Sequence, residues 1–177
     1  LCEPGGRANT NGTLLSGQRR LSKNGEYLNH HTGVSCFAEY AVVSTASCGK
    51  VPNYLDPRTA ALFGCAVLTG AGAVLNRTNI RAGDSAAVIG LGGVGFSSLL
   101  AARAAGAEKL VAVDFDSKKL KLAEELGATH VLSPKELTVR EVIDIIGGPV
   151  DFCYEMAGSV SAFSMAYQIV KKGGTVV

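Results

Sequence analysis

Charge is scarce in this 177-residue sequence: 18% of residues are Asp, Glu, Lys or Arg, 47% are hydrophobic, and the net charge is +2. That balance fits a packed globular protein and excludes a disordered one. No basic run is dense enough to suggest nucleic acid. Arg19, Arg20 and Lys23, and Lys118, Lys119 and Lys121, read as solvated surface. A signal peptide is missing, and so is any apolar run of transmembrane length, so no membrane partner is expected. The five cysteines (Cys2, Cys36, Cys48, Cys65 and Cys153) are odd in number, scattered, and form no CxxC pair. This excludes a disulfide framework and points to a reducing compartment, the cytoplasm. Internal repeats and low-complexity tracts are absent too.

The most informative stretch present is Ser85–Asp114. Ala86–Ile89 is a short apolar run suited to a strand buried on both faces. Gly90, Gly92 and Gly95 follow at GxGxxG spacing, and a helix rich in Ala and Leu comes next. Lys109–Val113 is a second buried strand, ending in Asp114. Strand, glycine turn, helix, strand and acid within about thirty residues form the dinucleotide-binding fingerprint in its required context. Gly90 allows the tight turn, Gly92 admits a pyrophosphate to the backbone, and Gly95 lets the helix pack on the strand. The free N–H groups and positive end of the helix then face the phosphates. Asp114 can accept hydrogen bonds from ribose hydroxyls.

Strand and helix signals alternate from Ala82 onward. The expected strands are Ala86–Ile89, Lys109–Val113, His130–Leu132, Val150–Glu155 and Thr175–Val177. The helices between them are Val94–Ala105, Ser117–Leu126, Val139–Ile146 and Val160–Val170. This alternation predicts an α/β fold with a doubly wound parallel sheet and right-handed crossovers. Upstream, Asp56 and Pro57 open a helical stretch. Arg58–Cys65 and Thr69–Thr78 read as two helices, with Gly64 and Gly70 as weak points. Residues 1–35 read mostly as loop, with turn signals at Pro4-Gly5, Asn11-Gly12 and Asn24-Gly25. Ser35–Val43 alternates as a strand does, and Cys48–Val51 is a short candidate. Leu at position 1 and a strand-like Thr175-Val176-Val177 at the other end lead us to expect a piece of a longer chain.

Four segments, CFAEYAVV, GCAVLTGAG, RAGDSAAVIGLGGVG and VAVD with Lys119 five residues after Asp114, resemble the zinc-dependent medium-chain alcohol dehydrogenases. The resemblance covers the whole chain. It implies that residues 1–65 end a β-rich GroES-like catalytic domain and that 66–177 form an incomplete Rossmann domain. The implied activity is hydride transfer between an alcohol, aldehyde or ketone and NAD, by a homo-oligomer. Cys65 matches a ligand of the catalytic zinc, and Cys2 a ligand of a structural zinc. Thr69 and Val94 match residues beside the nicotinamide, Gly93 lies in the glycine turn, and Lys119 matches a partner of the adenosine ribose. His30 and His31 are not expected to be zinc ligands. His31-Thr32 borders the substrate pocket in the resemblance and hints at a polar substrate. Three alternatives remain: a zinc-free medium-chain NAD(P)H reductase, a non-catalytic nucleotide-binding module, and a methyltransferase whose S-adenosylmethionine sits at a similar glycine turn.

Overall fold

The computed structural model describes residues 2–135 and 137–177, which divide into two units, Leu1–Tyr54 and Leu55–Val177. This division falls earlier in the chain than the domain boundary expected after residue 65.

In the first unit, helix α1 (Glu3–Asn11) replaces part of the expected loop. Pro4 lies in its first turn, where a missing N–H costs nothing, and Gly12 closes it at φ 63°. Two of the three turn signals are thus the ends of one helix. The third, Asn24-Gly25, is a hairpin turn with both residues at positive φ, joining β1 (Leu21–Lys23) to β2 (Glu26–Leu28). Asn and Gly tolerate that conformation best. The expected strands at Ser35–Val43 and Cys48–Val51 do not form. Phe37, Tyr40 and Val42 are exposed, and alternation yields a strand only where a ladder partner and a surface to bury against exist.

In the second unit, Pro57–Arg77 is one continuous helix rather than two. It comprises α2 (Pro57–Leu62), a π-helical turn at Phe63–Val67, and α3 (Leu68–Arg77). Asp56 caps it as expected, accepting from the Arg58 N–H at 2.9 Å. By length and composition this helix is long and apolar enough to cross a membrane, which corrects the expectation that no such segment exists. Its glycines and its two threonines, Thr59 and Thr69, interrupt the apolar run without making the segment polar.

After it come β3 (Ser85–Ile89), α4 (Gly93–Ala104), β4 (Lys109–Val113), α5 (Ser117–Glu125) and β5 (His130–Leu132). Then follow α6 (Val139–Ile145), β6 (Val150–Glu155), α7 (Val160–Ile169) and β7 (Val170–Val176). These match the expected elements to within a residue or two, except that β7 starts five residues early. It includes Lys171–Gly174 and carries a bulge opposite Val150–Phe152.

The five strands are parallel, in the order β5-β4-β3-β6-β7. Their side chains alternate between two cores. Ala86, Val88, Leu110, Ala112 and Tyr154 pack with Leu99 and Val74 on one face. Ala87, Ile89, Val111, Val113 and Cys153 pack with Val142, Ala166 and Ile169 on the other. Covering both faces is why these strands read as continuous apolar runs. The order in which strands are added reverses at β3: β4 lies on one side and β6 on the other. In such sheets the crevice at that switch, outside the carboxyl ends of the strands, is where ligands bind.

Candidate dinucleotide site

The glycine turn fills that position, and each glycine answers to a different neighbour. Gly90 has φ 91°, and a Cβ there would stand 2.6 Å from the Ala157 nitrogen. A Cβ on Gly95 would collide with the Gly90 carbonyl oxygen, whereas one on Gly92 would meet nothing within 4 Å. The first and third glycines are therefore required by packing. The second borders open space at the start of α4, where no side chain caps the helix. That uncapped end presents unpaired backbone N–H donors and positive potential, the environment a pyrophosphate seeks.

Asp114, at the end of β4, is half-buried and tied to this turn. Its Oδ2 accepts from the Leu91 N–H at 2.7 Å and its Oδ1 from the Asp116 N–H at 2.9 Å. Lys119 Nζ lies 3.5 Å from Oδ2. Burial raises the Asp114 pKa, but the Asp116 and Leu91 N–H groups and the Lys119 ammonium outweigh it and hold the carboxyl below its usual value. The group is thus a fixed carboxylate with acceptor capacity to spare. Beside it opens a cavity of about 180 Å³ lined by Gly90, Asp114, Phe115, Pro134, Ala157 and Met165, among others. Its apolar walls and single carboxylate suit a flat, mostly apolar ring carrying a polyhydroxylated sugar.

The far wall of this crevice comes from the β6–α7 connection, which pattern reading missed. The available signal was the Gly158-Ser159 pair that follows a strand and opens a helix. Gly70 was also misread. It is a helix crossing rather than a weak point: a Cβ there would hit α4 at Val94 and Ser97, and Ser98 Oγ donates to its carbonyl at 3.1 Å.

The remaining candidates are dispersed. Val94 is half-buried in the first turn of α4. Cys65 is exposed in the π-helical turn, with Thr69 exposed one turn later. That turn abuts the glycine turn, since a Cβ on Gly93 would stand 3.2 Å from Ala66 Cβ. Cys2, in the first unit, is exposed at the start of α1. Among the described residues no three His, Cys, Asp or Glu side chains converge as a metal site would need. His30 is buried, with Nε2 accepting from the Arg20 N–H at 3.1 Å and Nδ1 donating to the Val34 carbonyl at 3.3 Å. Both ring nitrogens are engaged within their own unit, so His30 serves structure.

Comparison with known proteins gives consistent results. Residues 93–177 match the family model described as zinc-binding dehydrogenase. The S-(hydroxymethyl)glutathione dehydrogenase of Synechocystis sp. is 37% identical over 165 residues, covering 92% of this chain and 45% of that protein. The crystal structure of an alcohol dehydrogenase zinc-binding domain protein from Burkholderia ambifaria superposes with a TM-score of 0.86 at 38% identity, covering 99% of this chain and 48% of that one. A zinc-binding dehydrogenase from Sinorhizobium meliloti 1021, solved bound to NADP, gives a TM-score of 0.72 at 32% identity over 84% of this chain and 43% of its own. The chain thus spans about half the length of the relatives it matches.

Proposed function

We propose that this chain belongs to the zinc-dependent alcohol dehydrogenase family and supplies the NAD-binding part of an enzyme moving hydride between an alcohol and its aldehyde or ketone. The observation that carries the proposal is the glycine turn. Gly92 stands open before an uncapped helix, while Asp114 is locked to the Leu91 N–H beside it. Gly90, Gly92, Gly93 and Gly95 shape the pyrophosphate seat, and Asp114 with Lys119 receives the adenosine ribose. Val94 and Thr69 line the approach of the nicotinamide. When bound, NAD supplies the hydride acceptor. The chain's own part is to hold the dinucleotide extended across the switch point and to fix its ribose.

NAD is favoured over NADP because a 2′-phosphate would meet the Asp114 carboxylate, with Phe115 rather than Arg next in the chain. The NADP-bound relative makes this a point to measure.

Zinc stands differently. A catalytic zinc takes three protein ligands, where it polarises a bound alcohol oxygen, and the described residues do not fit such a site by themselves. Cys65 is therefore proposed as one thiolate ligand of the catalytic zinc, and Cys2 as one of a structural zinc. Assignment of residues 1–65 to a GroES-like domain, cytoplasmic location and homo-oligomeric assembly belong to the same proposal, supported by the family resemblance and the free cysteines.

The direct test is fluorescence titration of the purified chain with NADH and NADPH. NADH should bind, and more tightly than NADPH. Failure to bind either would overturn the dinucleotide reading, and equal affinity would overturn the preference alone.

A further inference from the structure

Two carboxylates flank the glycine turn at the ends of the strands on either side of β3. Asp114 directly follows β4, and Glu155 is the last residue of β6. Each gathers two backbone N–H groups. Of those at Asp114, the Leu91 N–H belongs to the glycine turn and the Asp116 N–H to the connection after β4. Glu155 Oε1 accepts from the Ala157 and Gly158 N–H groups, both at 2.8 Å. The residue's main chain is anchored as well: Glu155 N–H donates to the Val177 carbonyl at 2.9 Å, and Met156 N–H to the Ile89 carbonyl at 2.7 Å.

The segment so held forms one side of the crevice. Ala157 nitrogen is the atom that a Cβ on Gly90 would meet, so the loop lies directly on the first glycine. Ala157 and Ser159 line the same cavity as Asp114. Gly158 adopts φ 71°, which turns its N–H toward the carboxylate, a conformation that favours glycine. Ser159 then caps α7, accepting from the Ala162 N–H at 3.2 Å. Without an acceptor at position 155, the exposed Ala157 and Gly158 N–H groups turn to water, and the loop loses the side-chain tie that fixes it to the end of β6.

We propose that Glu155 is a positioning residue for cofactor binding: it holds the Ala157–Ser159 wall against the adenosine half of the dinucleotide, opposite the wall that Asp114 holds. The proposal rests on the dinucleotide reading above. Glu155 acts through the loop and need not touch the ligand. An oxygen acceptor of the right reach is what matters, and the negative charge is secondary.

The experiment compares wild type with Glu155→Met, which keeps side-chain length without an acceptor, and Glu155→Gln, which keeps the oxygen without the charge. NADH and 5′-AMP affinities are measured by fluorescence and calorimetry, with thermal melts of the unliganded proteins alongside. Glu155→Met should weaken both ligands about tenfold, and Glu155→Gln should restore binding to within about threefold of wild type. A Glu155→Met variant that binds as tightly as wild type would overturn the proposal. So would equal weakening by both variants, because charge rather than the acceptor would then be responsible. If Glu155→Met does not fold, Gly158→Ala disturbs the same loop from the backbone side. Weakened AMP and NADH binding by that variant supports the proposal, and unchanged binding overturns it. A wild-type chain that binds neither ligand removes the dinucleotide reading and this inference together.

Discussion

In the Leu55–Val177 unit the central strands β3 and β4 are buried on both faces, whereas in Leu1–Tyr54 both strands of the hairpin are exposed along their whole length. The first unit places Tyr27, Phe37 and Tyr40 in solvent; the second keeps Tyr154 fully buried, its hydroxyl 2.8 Å from Thr78 Oγ1. Both units carry turn glycines and apolar stretches of strand length, and only one converts them into packed layers. What separates them is supply of partners. Each strand of the sheet finds its neighbours and covering helices within the same unit, so its local pattern and its tertiary environment agree. Ser35–Val43 alternates as a strand does, and none of the described strands pairs with it.

The largest effect should come from filling a glycine in the sheet unit. Gly95→Ala forces a Cβ onto the Gly90 carbonyl, backbone against backbone, with no flexible side chain to yield. It should cost about 3 kcal/mol and abolish NADH binding. Gly49→Ala, which meets nothing within 4 Å, should change stability by less than about 0.5 kcal/mol. The sequence contains no Trp, so urea melts are best followed by far-UV circular dichroism. Equal effects at the two glycines would break the contrast between units.

Core truncation sharpens it further. Leu99 is fully buried between α4 and the sheet, so Leu99→Ala should cost about 3 kcal/mol through lost transfer energy and a cavity. Phe37→Ala removes a larger side chain that is wholly exposed and should leave the urea midpoint within error. A large loss at Phe37 would show that the first unit buries it in solution.

Within the sheet unit, ligand specificity should respond at a single position. Asp114→Asn keeps an acceptor for the Leu91 N–H and removes the charge that repels a 2′-phosphate. The NADH to NADPH affinity ratio should fall about tenfold, close to 1.4 kcal/mol. An unchanged ratio would move the discriminating group elsewhere in the crevice.

Most of the sheet was legible in advance because buried parallel strands and their helices announce themselves locally. β4 and β6 span the residues their apolar runs indicated, and the Ser85–Asp114 pattern is the glycine turn that the fold places at the switch point. Illegible features were of two kinds. Some depend on distant contact: Gly70 is a crossing point only because Val94 and Ser98 approach it, and Glu155 matters only because its loop lies on Gly90. Others depend on how backbone groups are satisfied, as in the π-helical turn around Cys65, which sequence pattern reads as an ordinary helix with a weak point. Helix α1 was hidden for a simpler reason. Its Gly- and Asn-rich composition is that of a loop, and Pro4 in its first turn with the left-handed Gly12 cap at its C-terminus, rather than propensity, define it.

The smallest predicted effect concerns acid. All the ion pairs among the described residues lie beyond residue 54, so acid below about pH 4 should loosen the sheet unit and spare the first. The strongest case is Asp151 at the start of β6. Lys171 pairs with its Oδ1, and Ser85 donates to Oδ2 from its hydroxyl and, at 2.8 Å, from its backbone N–H. The Lys171 ammonium and the Ser85 hydroxyl outweigh burial and lower the Asp151 pKa to about 2, from an ordinary value of 3.8. The folded-state pKa is therefore the lower one. The stabilisation is complete above pH 3.8 and disappears as pH falls through that value toward about 2. Solvent screening reduces it to about 1 kcal/mol. Asp151→Asn should lower stability by that amount at pH 6, and the gap from wild type should close between pH 4 and pH 2 in urea melts. A gap that persists at pH 2 would assign the loss to altered hydrogen bonding with Ser85 instead of to the carboxylate charge.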